Sequence, residues 1–343
     1  MEKAKILLIL TGGTICSFGD DKNENRDVQT KKAERLLLKN FQESDSPYRD
    51  CDFEVEMILD ILSENMTVGR WNRLIAFLKQ TDLSKYQGVI IAHGTDTLAY
   101  TSNLLSLVLS GTAIPVFLVS SNLPLNNSLA NGNVNFKTAV ELICMGMNPG
   151  VYVPFQNEDG ICYLHKGCNL MQSGNYSQNF YSQSALKVGG TADIPRNWYQ
   201  VNAPIVLKDM GELKDDVLSI RPYVGLNYRW FQLDSGIRAV VHGLYHAETA
   251  CVTVEQEEES HSILFLLKEC KMRDIPVIIE PSREDQSFYI TNSEMTANGA
   301  VPVYGMTSEM VYVKTLAAGA LGYGRKDLIE FLRKDVCGEM IDS

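Results

Sequence analysis

Short apolar runs alternate with stretches of helical periodicity along the first half of the chain. Between the runs, apolar residues recur at helical spacing in three places: after the candidate N-cap Thr67, after residues 93–97 as far as Gly111, and around 134–144. Apolar strands of about five residues separated by helices are typical of a parallel sheet covered on both faces. The predicted strands of this sheet are residues 6–10, 53–61, 88–92 and 114–120.

A hairpin and a second α/β region follow. Residues 151–155 and 161–164, joined by a turn-forming segment, predict the hairpin. The fold expected is α/β, with a larger N-terminal domain built on a mostly parallel sheet and a smaller C-terminal α/β domain. The predicted limits are 1–190 for the first domain, 191–215 for an irregular connector and 216–343 for the second domain. Within the second domain we expect strands at 236–242 and 275–280 and helices at 254–273, 308–318 and 326–335.

Composition and charge narrow the class of protein. The chain has 343 residues, of which 45% are hydrophobic and 21% charged, so a disordered or fibrous chain is excluded. The net charge of -11 disfavours binding to nucleic acid or to an anionic membrane surface. No apolar run reaches the ~18–20 residues of a membrane span, and residues 6–10 are too short for a signal sequence. We therefore expect a cytoplasmic protein whose eight scattered cysteines are reduced and mostly buried.

Two segments at the ends of predicted strands could carry chemistry. One is Thr11-Gly12-Gly13-Thr14 after the first strand, and the other is His93-Gly94-Thr95-Asp96-Thr97 after the strand at 88–92. Open α/β sheets form their ligand crevice at the carboxyl ends of parallel strands. Glycines allow backbone N–H groups to approach a ligand and stabilise an oxyanion, and a threonine hydroxyl with a suitable base can be a nucleophile.

The residues alone leave a structural interpretation open. The two glycines could simply turn the chain, while Thr95, Asp96 and Thr97 could cap the following helix. A glutamate run at 255–259 is most simply a helix start favoured by the dipole. His242 and His246 are four residues apart, but they flank a strand end, so we predict no metal site there.

Both segments, in this order, resemble the asparaginase/glutaminase family of threonine amidohydrolases, particularly its bacterial cytoplasmic type. The resemblance covers nearly the whole chain. It includes LSENMT at 62–67, HGTDTLAYTSNLLSLVLSG at 93–111, IPVFLVSSNLPL at 114–125 and the tyrosine turn at 237–245.

The resemblance implies a role for each matching residue. Thr14 matches the threonine that accepts the acyl group, and Thr95 and Asp96 match a second threonine and the aspartate that binds the substrate α-amino group. Ser63 matches the serine that holds the α-carboxylate, with Glu64 beside it. Ser121 falls where a backbone carbonyl contacts the side-chain amide. The implied reaction is two-step hydrolysis of that amide, without metal or organic cofactor, in a homo-oligomer (a dimer or tetramer).

The sequence departs from the family at residues that activate the threonines. The family lysine that activates the second threonine aligns with Gln172, and Lys166 would lie roughly 20 Å away along a strand. The loop after Thr14 has no tyrosine, and Asn25 or a neighbour takes its place. Two acidic positions are Asn65 and Asn131, and the tyrosine turn reads Tyr245-His246-Ala247-Glu248-Thr249 where an asparagine is usual. Candidate substitute bases are Glu64, His93, His246 and Glu248.

Two functional hypotheses follow. The first is an asparaginase-like amidohydrolase that acts on L-Asn, Gln or a related small amide. The second is a catalytically impaired or redirected homologue that binds a small amino acid or amide in the same pocket. A purely structural role does not explain two family motifs at the right separation.

Overall fold

The computed structural model describes residues 3–20, 23–28, 30–188, 194–195, 198–233, 236–253, 255, 258–282 and 289–341, with the backbone alone for 18–20, 23–28 and 30. The chain divides into two compact units. The first is Met1–Met210 with Val336–Gly338, and the second is Gly211–Asp335 with Glu339–Ser343.

The first unit is built on a mostly parallel sheet. Its described strands are β1 (Lys5–Gly12), β2 (Ser17–Asp20), β3 (Asn23–Val28), β4 (Asp52–Ile61), β5 (Gly88–Ala92), β6 (Pro115–Val119), β7 (Gly150–Gln156), β8 (Cys162–Lys166) and β9 (Leu186–Lys187). Its described helices are α1 (Thr30–Gln42), α2 (Val68–Gln80), α3 (Leu98–Val108) and α4 (Gly132–Cys144).

The order of the strands determines where a ligand crevice forms. Within the described residues the main sheet runs β4-β1-β5-β6-β7-β8-β9, parallel from β4 to β7 and antiparallel beyond. The chain leaves β1 to form β4 on one side and then returns to form β5 on the other side. Adjacent strands whose connections depart in opposite directions form a topological switch point, which opens a crevice at their carboxyl ends.

Burial explains why these segments are strands. Every residue of β5 and β6 is buried, as are residues 6–12 of β1. The core beneath includes Phe117, Phe136 and Tyr152. A strand buried on both faces has no polar alternation, which is the pattern found in the sequence.

The predicted elements of the first half are confirmed. The strands, the hairpin β7–β8 and the helices α2, α3 and α4 lie where the hydrophobic pattern predicts them, within a few residues. Thr67 is the N-cap of α2, since its side chain accepts a hydrogen bond from the backbone N–H of Arg70 at 3.3 Å.

The second unit contains a smaller parallel sheet, in agreement with the expected fold class. Its described strands lie in the order β10 (Val217–Ile220), β11 (Ala239–Gly243), β12 (Val277–Ser282) and β13 (Ala300–Tyr304). The helices that accompany them in the described residues are α5 (Ile263–Met272), α6 (Ile290–Ala297), α7 (Ser308–Ala320) and α8 (Arg325–Leu332).

One predicted helix begins too early. The expected helix at 254–273 starts only at Ile263, because Ser262 is the N-cap and its side chain accepts from the backbone N–H of Leu264 at 3.2 Å. Glu259–His261 form a separate 3-10 turn before this cap. The glutamate run therefore precedes α5 and does not open it; residues 254, 256 and 257 lie outside the described part of the chain.

The predicted connector at 191–215 falls partly on residues 191–193 and 196–197, which lie outside the described residues, so the domain limits stay a prediction. Among the described helices, none has the length and apolar character needed to cross a lipid bilayer.

Candidate active site

The two threonine segments follow the two strands that flank the switch point. β1 and β5 pair directly, with Leu10 opposite Ala92. Thr14 opens a 3-10 turn just after β1, and Thr95 lies three residues beyond the end of β5. Because parallel strands present their carboxyl ends at the same edge, both threonines lie at the crevice edge of the sheet.

Glycines bring the two loops into backbone contact. Gly13 has φ +80°, and a Cβ placed on it would lie 2.3 Å from both the Cα and the N of Gly94. A Cβ on Gly94 would lie 2.4 Å from Ser63 Oγ and 3.1 Å from the Cα of Gly13. Gly13 immediately precedes Thr14 and Gly94 immediately precedes Thr95. The glycines therefore do more than turn the chain, since they allow the two threonine loops and Ser63 to meet.

Ser63 and Asp96 form a hydrogen-bonded pair between these loops. Ser63 follows β4 in a 3-10 turn, is buried, and donates from its Oγ to Asp96 Oδ2 at 3.2 Å. The same hydroxyl accepts from the backbone N–H of Asp96 at 3.1 Å. The Asp96 residue is exposed. The geometry offers one carboxylate and one hydroxyl side by side, a combination that can bind the ammonium and carboxylate groups of an amino acid.

Thr97 strengthens this link, and sequence reasoning missed its contribution. It is the N-cap residue of α3, but its side chain makes no capping hydrogen bond. Its hydroxyl donates instead to the backbone carbonyl of Ser63 at 3.0 Å. Thr97 therefore holds the N-cap position without capping the helix through its side chain, and only the contact across the two loops reveals what its hydroxyl does.

The backbone N–H of Gly13 is not available to an oxyanion. It donates to the carbonyl of Ile61 at 2.7 Å, across an irregularity in the β1–β4 pairing. The expectation that the glycine N–H groups lie ready for an oxyanion is thus wrong at this position, because the turn itself uses the donor.

Gln172 lies against the second threonine loop. Its Nε2 donates to the backbone carbonyl of Asp96 at 2.5 Å, so the residue that aligns with the family lysine is next to Thr95 and Asp96. The strand expected to carry it is shorter, since β8 ends at Lys166 and a 3-10 turn follows. Lys166 instead places its ammonium group 5.5 Å from the centre of the Trp198 ring. The side chain in contact with the Asp96 carbonyl is therefore an amide and carries no charge.

The loop that carries Gln172 also reaches the end of β6. Met171 and Tyr181 form an isolated antiparallel bridge that closes this loop. Within it, the Gln178 side chain accepts from Asn122 Nδ2 at 2.9 Å. The loop thus touches the segments that follow both β5 and β6, a connection that no sequence motif indicates.

Ser121 and Asn131 make structural hydrogen bonds. Ser121 is buried, and its Oγ donates to Leu123 O at 2.5 Å and accepts from Gly132 N at 3.1 Å. Asn131 accepts from Asn122 N at 2.9 Å and donates from Nδ2 to Gln156 O at 2.7 Å. These contacts give the side chains a role in fixing the loop between β6 and α4.

The candidate substitute bases are placed very differently. His93 is buried, its Nδ1 lies 2.8 Å from Gly94 O, and burial lowers its pKa to about 4. Glu64 is exposed in the Ser63 turn. His246 and Glu248 belong to the second unit, where His246 is exposed and Glu248 is buried with φ +58°. Asn65 lies in the Ser63 turn, and the side chain of Asn25, in β3, lies outside what the structure describes.

His242 and His246, which are four residues apart in the sequence, lie in different environments: His242 is buried and His246 is exposed. His242 is buried and its Nε2 lies 2.8 Å from the Tyr228 hydroxyl. Among the residues that the structure describes, no three or more His, Cys, Asp and Glu side chains converge as a metal site would require.

Comparisons with known proteins find relatives that match nearly the whole chain. The chain is 27% identical to an L-asparaginase of Thermococcus kodakarensis, over 99% of this chain and 100% of that protein. It is 25% identical to one of the subunits of the glutamyl-tRNA(Gln) amidotransferase of Methanococcus maripaludis, over 98% of this chain and 81% of the relative. The solved structure of the thermostable T. kodakarensis L-asparaginase superposes with a TM-score of 0.74 at 22% identity, covering 99% of this chain and 100% of that one.

The match to a protein-family model shows which family the chain belongs to. The model described as asparaginase, N-terminal, matches residues 5–203, more than half of the chain and all of the segments that form the candidate site. On this match, the chain belongs to the asparaginase family and is an asparaginase-like amidohydrolase.

Proposed function

We propose that the chain hydrolyses the side-chain amide of L-asparagine, or of glutamine or a related small amide, through an acyl-enzyme on Thr14. The contact between Gly13 and Gly94 carries this proposal, because it sets Thr14 and Thr95 on touching loops beside Ser63 and Asp96. The Thr14 hydroxyl oxygen would attack the amide carbonyl and expel ammonia. Water would then cleave the ester to release the acid and regenerate the hydroxyl.

The pair of Ser63 and Asp96 supports an amino acid as the substrate. The Asp96 carboxylate offers negative charge to an α-ammonium group, and the Ser63 hydroxyl can redirect its one proton to an α-carboxylate. The relatives favour a small amide over a larger partner, because an L-asparaginase is matched along its entire length. Part of the amidotransferase chain, in contrast, lies outside the match.

Ammonia release by the purified chain from L-Asn and L-Gln tests the proposal. Thr14→Ala should abolish release, whereas Thr296→Ala, at an exposed position on α6 of the second unit, should leave it unchanged. Release that survives Thr14→Ala would overturn Thr14 as the nucleophile. Trapping with hydroxylamine, which converts an acyl-enzyme to a hydroxamate, separates covalent from direct hydrolysis.

A second candidate function is binding with little turnover, and Gln172 favours it. An amide cannot take up a proton or supply positive charge beside Thr95, and loss of a general base or its equivalent typically costs 10²–10⁴-fold in rate. In this case calorimetry should detect Asp, Asn, Glu or Gln binding without ammonia release.

Substituting Gln172 separates the two functions. Gln172→Lys should raise the rate of hydrolysis at least tenfold if the pocket is an impaired version of the family site. Gln178→Lys adds the same charge to the same loop at a residue bonded to Asn122, and should not raise the rate. Fast wild-type turnover that Gln172→Lys reduces would show that the amide belongs to the working site.

The resemblance also supports a cytoplasmic homo-oligomer acting on a small molecule. Light scattering of the full chain across a dilution series should give a mass of two or four chains. A mass of one chain at every concentration would contradict this part of the proposal.

A further inference from the structure

A row of contacts joins the segment 40–51 to α4 in the first unit. Asn40 Nδ2 donates to Asn133 Oδ1 at 3.1 Å, and the rings of Phe41 and Phe136 meet edge to face at 5.6 Å. Further along both segments, Asp45 pairs with Lys137. A cavity of about 250 Å³ lies among these side chains. The contacting residues follow one another in the same order along both segments. These contacts therefore fix the position of residues 40–51 against α4.

Two cysteines form the last contact of this row. Cys51 precedes β4, and Cys144 is the final residue of α4. Their sulfur atoms are 3.2 Å apart although 93 residues separate them in the chain. A disulfide requires a separation of about 2 Å, so the two sulfurs need approach by only about 1 Å in total.

We propose that Cys51 and Cys144 form a reversible disulfide when the protein meets an oxidised low-molecular-weight disulfide such as glutathione disulfide. The Cys51 thiolate would attack one sulfur of this oxidant and release one glutathione thiolate. The Cys144 thiol would then lose its proton, attack the Cys51 sulfur of the mixed disulfide and release the second glutathione. Two protein thiols are oxidised, and one glutathione disulfide is reduced to two thiols.

Partial exposure together with the sulfur–sulfur contact distinguishes this pair from the other cysteines. Cys51 and Cys144 are both partly exposed, whereas Cys16, Cys168, Cys270 and Cys337 are buried. Cys162 is also partly exposed, but its sulfur lies 3.6 Å from the Thr138 hydroxyl. Burial raises the pKa of the Cys51 and Cys144 thiols, so the attacking thiolate is a minor form near neutral pH and oxidation should be faster at higher pH. Cys251 is exposed and belongs to the second unit.

The disulfide would act on stability and leave the candidate active site unchanged. Cys51 precedes the amino end of β4, and Cys144 precedes β7, so both lie near the edge of the sheet opposite the threonine loops. A cross-link that closes a long loop restricts the unfolded chain more than the folded one. We therefore expect a rise in Tm of ~5–10 °C on oxidation, with ligand binding at the threonine site unchanged.

The test uses the reduced full chain in its native state. It is incubated with glutathione disulfide, alkylated, digested and mapped by mass spectrometry, and its Tm is measured before and after. A peptide that links Cys51 to Cys144, with a Tm rise that dithiothreitol reverses, is the expected result. Absence of the linked peptide from folded protein would overturn the proposal, as would a linked protein with a lower Tm than the reduced form.

Three variants provide the controls. Cys51→Ser and Cys144→Ser should each remove the linked peptide and the reversible Tm rise, and each change is small enough to be tolerated at a partly exposed site. Cys251→Ser removes an exposed thiol elsewhere and should retain both effects. A Tm rise that persists in Cys51→Ser would assign the effect to another cysteine and refute the proposed pair.

Discussion

At the scale of single residues, the candidate site depends on Gly94, where a side chain would not fit. A methyl group on Gly94 would overlap Ser63 Oγ at 2.4 Å, so Gly94→Ala must push the two loops apart. We expect a loss of about 1–3 kcal/mol in the free energy of unfolding and loss of ligand binding. Urea unfolding and calorimetry measure the two effects.

Gly69 provides the matched control for this substitution. It lies in α2 with nothing within 4 Å of an added Cβ. Gly69→Ala should therefore stabilise the protein by about 0.5–1 kcal/mol, because alanine is the better helix former. Equal effects of the two substitutions would show that the tight contact between the loops does not exist.

Buried histidines make the stability depend on pH. Burial lowers the pKa of His93, His165 and His242 from 6.5 to about 4. Between these values the unfolded chain binds more protons than the folded one at these histidines. Their contribution to stability is therefore fully present above about pH 6.5 and is lost as the pH falls through about 4.

The contribution of one imidazole to this pH dependence can be isolated. His165 lies in β8, and its Nδ1 is 2.8 Å from Ser182 Oγ. His165→Gln should reduce the proton uptake on unfolding by up to about one proton between pH 6.5 and 4, as measured by urea unfolding across that range. An unchanged slope would mean that His165 is protonated in the folded protein.

The site residues differ in how far the sequence alone could place them. The two Gly-Thr segments could be found because each follows an apolar strand, and the resemblance added Ser63 and Gln172. The contacts of Thr97 could not be predicted, since a threonine before a helix is normally an N-cap. The use of the Gly13 N–H by Ile61 depends on an irregular β1–β4 pairing that no local pattern encodes.

At the scale of elements, Asn131 fixes the loop between β6 and α4 to β7. Its Nδ2 donates to Gln156 O, while its Oδ1 accepts from Asn122 N. In Asn131→Asp a carboxylate oxygen would face the Gln156 carbonyl, and the donor would be lost. We expect the free energy of unfolding to fall by about 1–3 kcal/mol.

An exposed asparagine gives the control for this change. Asn175→Asp introduces the same charge in the loop 171–181, where the side chain is exposed, and should change stability by less than about 0.5 kcal/mol. If both variants unfold at the same urea concentration, the Asn131 hydrogen bonds contribute nothing measurable.

A buried strand with a continuous apolar run, such as β5, could be predicted from the sequence. Short elements such as α6 and β10 could not. β5 is apolar throughout, and its predicted bounds are confirmed. α6 and β10 have only eight and four residues, and α6 is largely polar, so neither produces a clear period. The predicted start of α5 was wrong because acidic residues and Ser262 are both typical of a helix N-terminus. The side chain that caps the helix in the structure is Ser262, which accepts from the N–H of Leu264.

At the scale of the whole molecule, strand order carries the information that sequence periodicity lacks. The hydrophobic pattern predicts β1, β4 and β5 in chain order, but β1 lies between the other two in the sheet. The crevice at the switch point follows from this arrangement. Long-range pairing therefore determines that Thr14 and Thr95 follow neighbouring strands.

The C-terminal residues are divided between the two units: Val336–Gly338 belong to the first unit and Glu339–Ser343 to the second. Different contacts bind each group to its unit. Val336 O accepts from the backbone N–H groups of Asn202 and Ala203 in the first unit. In the second unit, Lys314 and Glu339 form an ion pair at 2.5 Å in which neither side chain is exposed to solvent. Lys314 also donates to the backbone carbonyl of Lys334 at 2.5 Å.

Breaking this ion pair should destabilise the second unit selectively. In Glu339→Leu the Lys314 ammonium group stays buried without its carboxylate, which we expect to cost about 3–5 kcal/mol. The double variant Lys314→Met with Glu339→Leu removes both charges and should recover most of that loss, since replacing a buried ion pair by apolar groups is often neutral. Hydrogen exchange should show faster exchange of α7 amides in the single variant and unchanged exchange in β5 and β6. Equal loss of protection in both units would show instead that the two units unfold together.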